Sequence, residues 1–265
     1  MSRLTYTIGT LVTSEAQYAD MRRTFADNGF GGDDCEYLHI DNTGAARGEP
    51  QTDAYAGLND LLDRAQAPLV ILCHQDVLLR SDGRAVLDRR LAELNDIDPN
   101  WAVVGNAGGA DVRSIVRVIS DKHGANQRIG TFPHKVMSVD ENFMVVRRAA
   151  RIGFSHDLAG FHLYGADICL AADIMGYSAY VIDFHLEHLG ASTMGPAFDA
   201  SEQAFRAKWR RALRDRRMQT TCTYMFVTGR SEPPAITHWR EKSHLRLARI
   251  SISLAKRAAR GRQVP

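Results

Sequence analysis

The feature that most constrains the fold is a short, uninterrupted apolar run, Pro68–Cys73 (PLVILC), which stops abruptly at His74-Gln75-Asp76. Apolar runs of this length without polar alternation are typical of strands that are covered on both faces. Such strands belong to parallel sheets, whose crossover connections place helices on the two faces. The run therefore predicts an α/β protein built around a central, mainly parallel sheet.

Strand-like and helix-like segments alternate on either side of this run. Strands are predicted at Tyr6–Val12, Cys35–Ile40, Trp101–Val104, Val112–Ile119, Val136–Val139, Phe143–Val146 and Tyr177–Phe184, and helices at Ser14–Ala26, Ala54–Ala65, Gly83–Leu94 and Ala166–Met175. This alternation favours a sheet with helices on both faces, and the later strands are expected to add antiparallel elements.

Composition and cysteine spacing exclude several protein classes. With 265 residues, 45% of them hydrophobic, the chain can bury a core without a structural metal or a disulfide. Its four cysteines show no CxxC spacing, which argues against a zinc knuckle or a redox motif and favours buried thiols in a reducing compartment. No apolar stretch approaches 18 residues, and the N-terminus lacks a signal-peptide pattern. We therefore expect a cytoplasmic protein.

Charge is distributed unevenly along the chain. Residues 201–265 contain 16 Lys and Arg against 4 Asp and Glu, whereas the first 200 residues contain 17 against 27. If residues 239–262 are helical, five basic side chains share one face: Lys242, Arg246, Arg249, Lys256 and Arg260. Such a helix can rest on an anionic membrane or pack on its own domain with a solvated basic face. Nucleic-acid binding is not expected, because no recognised module accompanies the charge.

Polar side chains follow three of the predicted strands. Asp41 follows CEYLHI, Asp76 follows PLVILCHQ, and His188 follows YVIDFHLE. In open α/β sheets, ligands bind in the crevice outside the carboxyl ends of the strands. Each of these residues could instead cap a turn or a helix. Together they indicate a site for a hard cation or a sugar hydroxyl.

Asp76 is the strongest candidate among these residues for a metal ligand. His74 and Asp76 are two residues apart and therefore lie on the same side of an extended segment, which suits a divalent ion that bridges a carboxylate and a phosphate. Asp167 lies in the first turn of a predicted helix, where it is either a partner of the helix dipole or a general base over the same crevice. His185 and His188, three residues apart, do not by themselves imply a zinc site.

The order of several motifs resembles a known family. The segments YTIGTLVT, HIDN, DAYAGLNDLLDRAQAPLVILCHQDVLL, WAVVGNAGG, SVDENFMVVRR, FHLYGADICLAADIMGYSAYVID and HLGAST resemble, in this order, a family 2-type glycosyltransferase of the GT-A fold. The resemblance covers about residues 5–195 and is greatest to a subgroup with His-Gln-Asp-Val in place of Asp-x-Asp; AKWRRAL (Ala207–Leu213) also resembles that subgroup. It implies a GT-A-type, Rossmann-like, mostly parallel sheet over residues 1–196. The excess of basic residues after this domain predicts a helical basic extension over residues 197–265.

The resemblance also implies a donor site. Asp41 would contact the nucleoside of a nucleotide-sugar, and Asn59 would border that pocket. Asp76 would hold Mg²⁺ or Mn²⁺ against the diphosphate, with His188 as a further ligand. Asp140, in the turn of SVDENF, would face the donor sugar or the acceptor.

Asp167 stands where the resembled family has its catalytic acidic residue. The resemblance therefore implies one-step, inverting transfer to a glycan or lipid-linked acceptor in surface glycan assembly, with Asp167 as the general base. Two positions depart from the family pattern: His74 replaces the first carboxylate of Asp-x-Asp, and Ala166 replaces the acid that usually precedes the base.

Two other function classes fit the same residues. One is a metal-dependent hydrolase that uses four side chains, His74, Asp76, His185 and His188. The other is a non-catalytic nucleotide-sugar-binding protein, which Ala166 suggests. Nucleoside diphosphates with Mn²⁺ should stabilise a transferase and not a hydrolase, and product formation with an acceptor separates an enzyme from a binding module.

Overall fold

The computed structural model describes residues 4–190, 195–229 and 233–261. The helices are α1 (Glu15–Phe25), α2 (Ala54–Arg64), α3 (Arg84–Ile97), α4 (Tyr164–Ile174), α5 (Pro196–Ala212) and α6 (Pro234–Gly261). The strands are β1 (Tyr6–Val12), β2 (Cys35–Asp41), β3 (Leu69–Cys73), β4 (Val77–Leu78), β5 (Trp101–Gly105), β6 (Ala107–Asp111), β7 (Ser114–Asp121), β8 (Gly124–Ile129), β9 (His134–Val136), β10 (Ser138–Val139), β11 (Phe143–Arg147), β12 (Ser178–Val181), β13 (Leu186–His188), β14 (Arg216–Gln219) and β15 (Tyr224–Val227).

The central sheet has seven strands in the order β2-β1-β3-β11-β5-β12-β9. β1 pairs in parallel with β2 and β3, and β12 pairs in parallel with β5. β11 is antiparallel to both β3 and β5, and β9 is antiparallel to β12. Thus β2, β1, β3, β5 and β12 run in one direction, and the prediction of a mostly parallel sheet flanked by helices is confirmed.

The apolar run of β3 is buried because it serves two cores. Val70 and Leu72 belong to one hydrophobic cluster, together with α2 and α4, whereas Ile71 and Cys73 belong to a second cluster, together with α1 and α3. Successive strand side chains point to opposite faces of a sheet, so a run without alternation fills both layers. Burial of each large side chain contributes about 1.5–3 kcal/mol.

The structure differs from the sequence prediction in its second sheet. A single strand was expected over Val112–Ile119, but the chain reverses there: Arg113 has φ 68° and Val112 is 80% exposed at the tip of the β6–β7 hairpin. The expected strand Tyr177–Phe184 ends at Val181, and β13 follows it. The second sheet has the order β10-β6-β7-β13-β4, with β8 beside β7. Antiparallel hairpins like these lack the strong apolar runs of the central sheet.

The chain divides into two compact units, one ending at Phe205 and the other beginning at Arg206. The second unit contains the end of α5, the β14–β15 hairpin and α6. The predicted boundary between residues 196 and 197 stays a prediction. Over residues 4–190, 195–229 and 233–261, no helix combines the length and the apolar character that crossing a membrane requires.

Helix α6 carries an exposed apolar stripe. Five of its exposed apolar side chains recur three, four or seven to eight residues apart and so share one side of the helix: Ile236, Trp239, Leu247, Ile250 and Leu254. The side chains of Lys256 and Arg260, which were expected on the basic face, and all of Arg262 lie outside the described residues.

Candidate metal centre and adjoining cavity

Backbone pairing brings the ends of two distant segments together. After β3, the N–H of His74 donates to the carbonyl of Asn142 over 2.9 Å, and the chain turns into β4. β4 pairs antiparallel with β13 so that His188 lies opposite Val77. The N–H of Leu189 then donates to the carbonyl of Asp76 over 3.0 Å. This register places the His188 side chain beside Asp76, although 112 positions separate them in the sequence.

Three side chains converge at this point. The His188 Nε2 atom lies 3.4 Å from Asp76 Oδ1 and 3.4 Å from His74 Nδ1, and His74 Nδ1 lies 4.0 Å from Asp76 Oδ1. One ligand atom from each residue lies within 4.8 Å of the other two. Two imidazole nitrogens and a carboxylate oxygen are a donor set that binds divalent metal ions.

The backbone at Gly190 lies close against this cluster. A Cβ atom at this position would overlap Asp76 Oδ2 and would lie 2.9 Å from His188 Nε2. A side chain at position 190 would therefore occupy the volume next to the two ligand atoms. The donor set, next to a residue that has no side chain to crowd it, fits a bound divalent ion.

The charges of Asp76 and His74 suit metal binding, whereas at His188 a metal ion has to compete with a proton. Burial disfavours ionisation of Asp76, but its hydrogen bond and ion pair with His188 outweigh burial and hold the pKa of Asp76 below its ordinary value. Burial also opposes protonation of His188, yet Asp76 raises the pKa of His188 above its ordinary value. Burial and the neighbouring His188 lower the pKa of His74. At neutral pH Asp76 is ionised and His74 is neutral, which are the forms that coordinate a metal.

A cavity of about 200 Å³ adjoins the cluster. Its lining combines apolar and polar side chains and consists of Leu11, Thr13, Asn42, Ala54, Leu58, Leu72, Cys73, His74, Gln75, Asp76, Glu141, Met144, Phe161 and Tyr164. The cavity lies at the carboxyl ends of β1 and β3, the edge of the sheet at which open α/β folds bind ligands.

Glu141 is a carboxylate of this lining that the sequence analysis did not single out. It follows Asp140 in the turn between β10 and β11, and its Oε1 accepts a weak hydrogen bond from the N–H of Gly165 at the start of α4, over 3.4 Å. Burial, with a contribution from the Asp140 charge, raises the pKa of Glu141 to about 8. Two adjacent acids directly before a buried strand were the signal that could have drawn attention to it.

Asp140 and Asp167 have different surroundings. Asp140 is exposed, and its Oδ1 accepts from the N–H of Asn142 over 3.0 Å. Asp167 has no exposed surface, and its two carboxylate oxygens accept from the N–H of Ser155 over 2.7 Å and from the Ser155 hydroxyl over 2.8 Å. Asp167 is not among the residues that line the 200 Å³ cavity.

Asp41 and Asn59, the two residues predicted at the nucleoside pocket, lie in different places. Asp41 is exposed, and its Oδ1 accepts from the N–H and the hydroxyl of Thr43 over 2.8 and 2.7 Å. The next residue, Asn42, is buried and lines the cavity, held by two 2.9 Å hydrogen bonds to the backbone of Thr52. Asn59 makes two 2.9 Å hydrogen bonds to the backbone of Phe154 and borders a different cavity.

His185 does not join the cluster. Its Nδ1 lies 3.0 Å from the hydroxyl of Ser81, and its Nε2 lies 2.9 Å from the hydroxyl of Ser120. Of the four residues considered for a metal hydrolase, the structure therefore brings together three, and the fourth is hydrogen-bonded elsewhere.

Solved structures of similar fold include two nucleotide-sugar glycosyltransferases. The mannosyltransferase PcManGT of Pyrobaculum calidifontis, solved with GDP-Man and Mn²⁺, has a TM-score of 0.50 at 16% identity, over 79% of this chain and 65% of that one. GalNAc-T7, solved with UDP, GalNAc and Mn²⁺, has a TM-score of 0.55 at 9% identity, over 79% of this chain and 50% of that one. The chain thus spans just under two thirds and one half of these proteins. At such identities the likeness shows the fold alone, which is GT-A-like.

No protein-family model matches the chain. The ATP synthase subunits region ORF 6 protein of Fuscovulum blasticum is 36% identical over 216 residues, which cover 79% of this chain and 85% of that protein. The chain belongs to the same family as this protein, whose name states no activity.

Proposed function

We propose that the protein is a metal-dependent glycosyltransferase of the family 2 type that moves a sugar from a nucleotide-sugar to a glycan or lipid-linked acceptor. The observation that carries the proposal is the convergence of His74, Asp76 and His188 beside a cavity at the carboxyl end of β3, in a GT-A-like fold. The subgroup with His-Gln-Asp-Val in place of Asp-x-Asp is part of this proposal.

Each residue of the site acts on a different part of the nucleotide-sugar donor. Asp76 and His188 hold Mn²⁺ or Mg²⁺, which when bound stabilises the negative charge that develops on the nucleoside diphosphate. Asp41 contacts the nucleoside from the end of β2, and Asp140 faces the transferred sugar. Asn59 acts on this pocket through α2, since its side chain is hydrogen-bonded to Phe154.

Inverting transfer needs a carboxylate that takes the proton of the acceptor hydroxyl. Asp167 is the proposed general base by resemblance, but it is buried and would have to release Ser155 to reach a substrate. Glu141 already lines the cavity, and its pKa of about 8 leaves it partly ionised at neutral pH. Glu141 is therefore the competing base that this geometry favours.

A pair of isosteric variants decides between them. Replacing the base should lower transfer by about 10²- to 10⁴-fold while donor binding and the melting temperature stay near those of the wild type. We expect this of Glu141→Gln, whereas Asp167→Asn should mainly lower the melting temperature because Ser155 loses a charged acceptor. If Asp167→Asn shows the selective loss of transfer, the base is Asp167. Transfer within about threefold of wild type in both folded variants would exclude both carboxylates.

Thermal-shift measurements test the function itself. UDP, GDP and their sugars should raise the melting temperature only when Mn²⁺ or Mg²⁺ is present, and a donor that does so should yield product with a glycan acceptor. Stabilisation by metal alone, with no effect of any nucleotide, would favour the hydrolase. Stabilisation by donor without any product would favour the binding module.

The C-terminal unit is proposed to bring the enzyme to an anionic membrane surface, at the inner face of the membrane. The exposed stripe of α6 with its Arg-rich flanks supports this interpretation, because apolar area and basic charge together give interfacial binding. Leu247 lies on the stripe, whereas Leu245, two residues away, lies on the opposite side. Leu247→Ser should weaken sedimentation with phosphatidylserine vesicles more than Leu245→Ser does, and the wild type should bind these vesicles more strongly at low salt. Equal binding of both variants would contradict the interpretation.

A further inference from the structure

A chain of hydrogen bonds leads away from the metal cluster. The Nε2 atom of His74 lies 2.7 Å from the hydroxyl oxygen of Tyr164, the first residue of α4. That hydroxyl donates to the backbone carbonyl of Glu141 over 3.4 Å. A carbonyl only accepts, and a tyrosine hydroxyl has a single hydrogen, so when that hydrogen is donated to Glu141 the Tyr164 oxygen accepts from His74.

The direction of this chain sets the tautomer of His74. A neutral imidazole carries one N–H, and when Nε2 donates to Tyr164, the Nδ1 atom keeps its lone pair. Nδ1 is also the atom that faces the cluster, 3.4 Å from His188 Nε2 and 4.0 Å from Asp76 Oδ1. The Nδ1 lone pair of His74 therefore faces the place where all three residues could bind the same metal ion.

The Tyr164 ring is held from two sides. It meets Tyr55 edge to face with ring centroids 6.2 Å apart and Phe154 with centroids 6.1 Å apart. The next residue, Gly165, allows the start of α4 to approach the carbonyl of Val139 so closely that a Cβ atom would overlap it. The hydroxyl of Tyr164 is thus fixed by packing as well as by its hydrogen bonds.

We infer that Tyr164 is a positioning residue that fixes His74 as a third metal ligand through Nδ1, so that the site takes a first-row transition ion such as Mn²⁺ in preference to Mg²⁺. This inference rests on the proposed function for the presence of a metal. Mg²⁺ favours oxygen ligands and retains its waters, whereas imidazole nitrogens favour transition ions. Outer hydrogen-bond partners of ligating histidines typically change metal affinity by about 10- to 100-fold.

The test measures Mn²⁺ binding to the full chain by electron paramagnetic resonance, with Mg²⁺ as competitor and no nucleotide. Tyr164→Phe should weaken Mn²⁺ binding by about 10- to 100-fold. Tyr55→Phe is the matched control, because it removes a hydroxyl of the same aromatic cluster that donates to the carbonyl of His162; it should bind Mn²⁺ like the wild type. His74→Asp should shift the preference toward Mg²⁺ by about tenfold or more. Spin-echo spectra should show two imidazole nitrogens on Mn²⁺ in the wild type and a weakened second coupling in Tyr164→Phe.

Equal Mn²⁺ affinity and equal nitrogen couplings in the Tyr164→Phe and Tyr55→Phe variants would overturn the inference. If Tyr164→Phe does not fold, ¹H–¹⁵N spectra of the metal-free wild type replace it: a proton on Nε2 of His74 is expected, and a proton on Nδ1 would overturn the inference. The two proposals fail differently. Selective Mn²⁺ binding with no response to any nucleotide-sugar refutes only the transferase, whereas nucleotide-sugar transfer with equal use of Mg²⁺ and Mn²⁺ refutes only the inference.

Discussion

His185 and His188 stand three residues apart on the same segment, yet their surroundings differ in kind. Both ring nitrogens of His185 are hydrogen-bonded to hydroxyls, those of Ser81 and Ser120. The Nε2 atom of His188 instead faces Asp76 and His74 beside a cavity. The His185 imidazole is hydrogen-bonded to the segments around it, whereas the His188 imidazole belongs to a set of convergent ligands.

The acids near the two histidines differ in the same way. Asp183, next to the His185 region, forms ion pairs with Arg90 and Arg128. Asp76 pairs with imidazoles, which give up a proton far more readily than a guanidinium does. The comparison teaches that spacing and residue type do not separate a structural histidine from a ligand. A structural histidine and a metal-binding one are distinguished instead by the charge states that their partners can adopt.

The largest effect that would test this comparison is the loss of Asp76. Asp76→Asn removes the one carboxylate of the ligand set and should weaken metal-dependent nucleoside diphosphate binding by about 100-fold or more, while the fold remains. Calorimetry with and without Mn²⁺ measures this. Asp82→Asn is the control on the other side, because Asp82 accepts the backbone N–H of His185 over 2.7 Å and an asparagine oxygen can still accept it. Undiminished nucleotide affinity in Asp76→Asn with metal present would remove Asp76 from the site.

A second test removes each of the two histidines in turn. His185→Ala leaves the hydroxyls of Ser81 and Ser120 without their partner and should lower the free energy of unfolding by about 1–3 kcal/mol, with Mn²⁺ affinity unchanged. His188→Ala should instead lose Mn²⁺ affinity. Urea unfolding and metal titration of both variants give the two readouts. A loss of Mn²⁺ affinity in His185→Ala with stability unchanged would show that the comparison is wrong.

The third test crowds the ligand side chains. Gly190→Ala puts a Cβ atom against Asp76 Oδ2, which is a side-chain end that can move aside. The fold should therefore persist while the ligand geometry changes, and Mn²⁺ affinity should fall on the order of 10-fold. Gly195→Ala is the matched control, since its Cβ would meet no atom within 4 Å in the part of the chain that the structure describes. Equal Mn²⁺ affinity in both variants would mean that position 190 does not border the ion.

Much of the central sheet could be predicted from the sequence because its strands are strongly apolar. The expected bounds of β1 match the structure, and the helix expected from Ser14 begins with that residue as its N-cap. The β6–β7 hairpin was missed because its strands carry glycines and mixed polar residues, so its turn at Arg113 has no clear sequence signal. Sheet edges with weak patterns are decided by pairing partners rather than by local preference.

The candidate site was predictable only in part for a related reason. Asp76 was recognisable from its place after an apolar run. His74 was recognisable from its spacing of two residues from Asp76. Its convergence with His188 depends on pairing between β4 and β13, and no local pattern reveals its contact with the hydroxyl of Tyr164. Glu141 acquires its raised pKa from burial that only the folded chain creates. Residues that act through long-range contacts cannot be ranked from their own neighbours in the sequence.

The smallest expected effect is a pH dependence of the free energy of unfolding of the metal-free protein. Asp76 holds the pKa of His188 above its ordinary value of about 6.5, against the effect of burial. The folded state therefore binds this proton more tightly than the unfolded state does, and the resulting stabilisation is fully present below about pH 6.5 and is lost as the pH rises through the folded-state pKa. The neighbouring charges that face His188 include Asp140 and Asp121, which act in the same direction as Asp76, whereas the lowered pKa of His74 works in the opposite sense.

The variant His188→Gln isolates this contribution. The stability advantage of the wild type over His188→Gln should be larger at about pH 5.5 than at about pH 8.5, by less than about 1.4 kcal/mol for each unit by which the pKa is raised. Urea unfolding with a chelator present measures the difference at both pH values. In an Asp76→Asn background the pH dependence should shrink, because Asp76 supplies the hydrogen bond and the charge that raise the pKa of His188. An advantage that grows as the pH rises would mean that burial, rather than Asp76, governs His188, and the distinction drawn between the two histidines would then fail on electrostatic grounds.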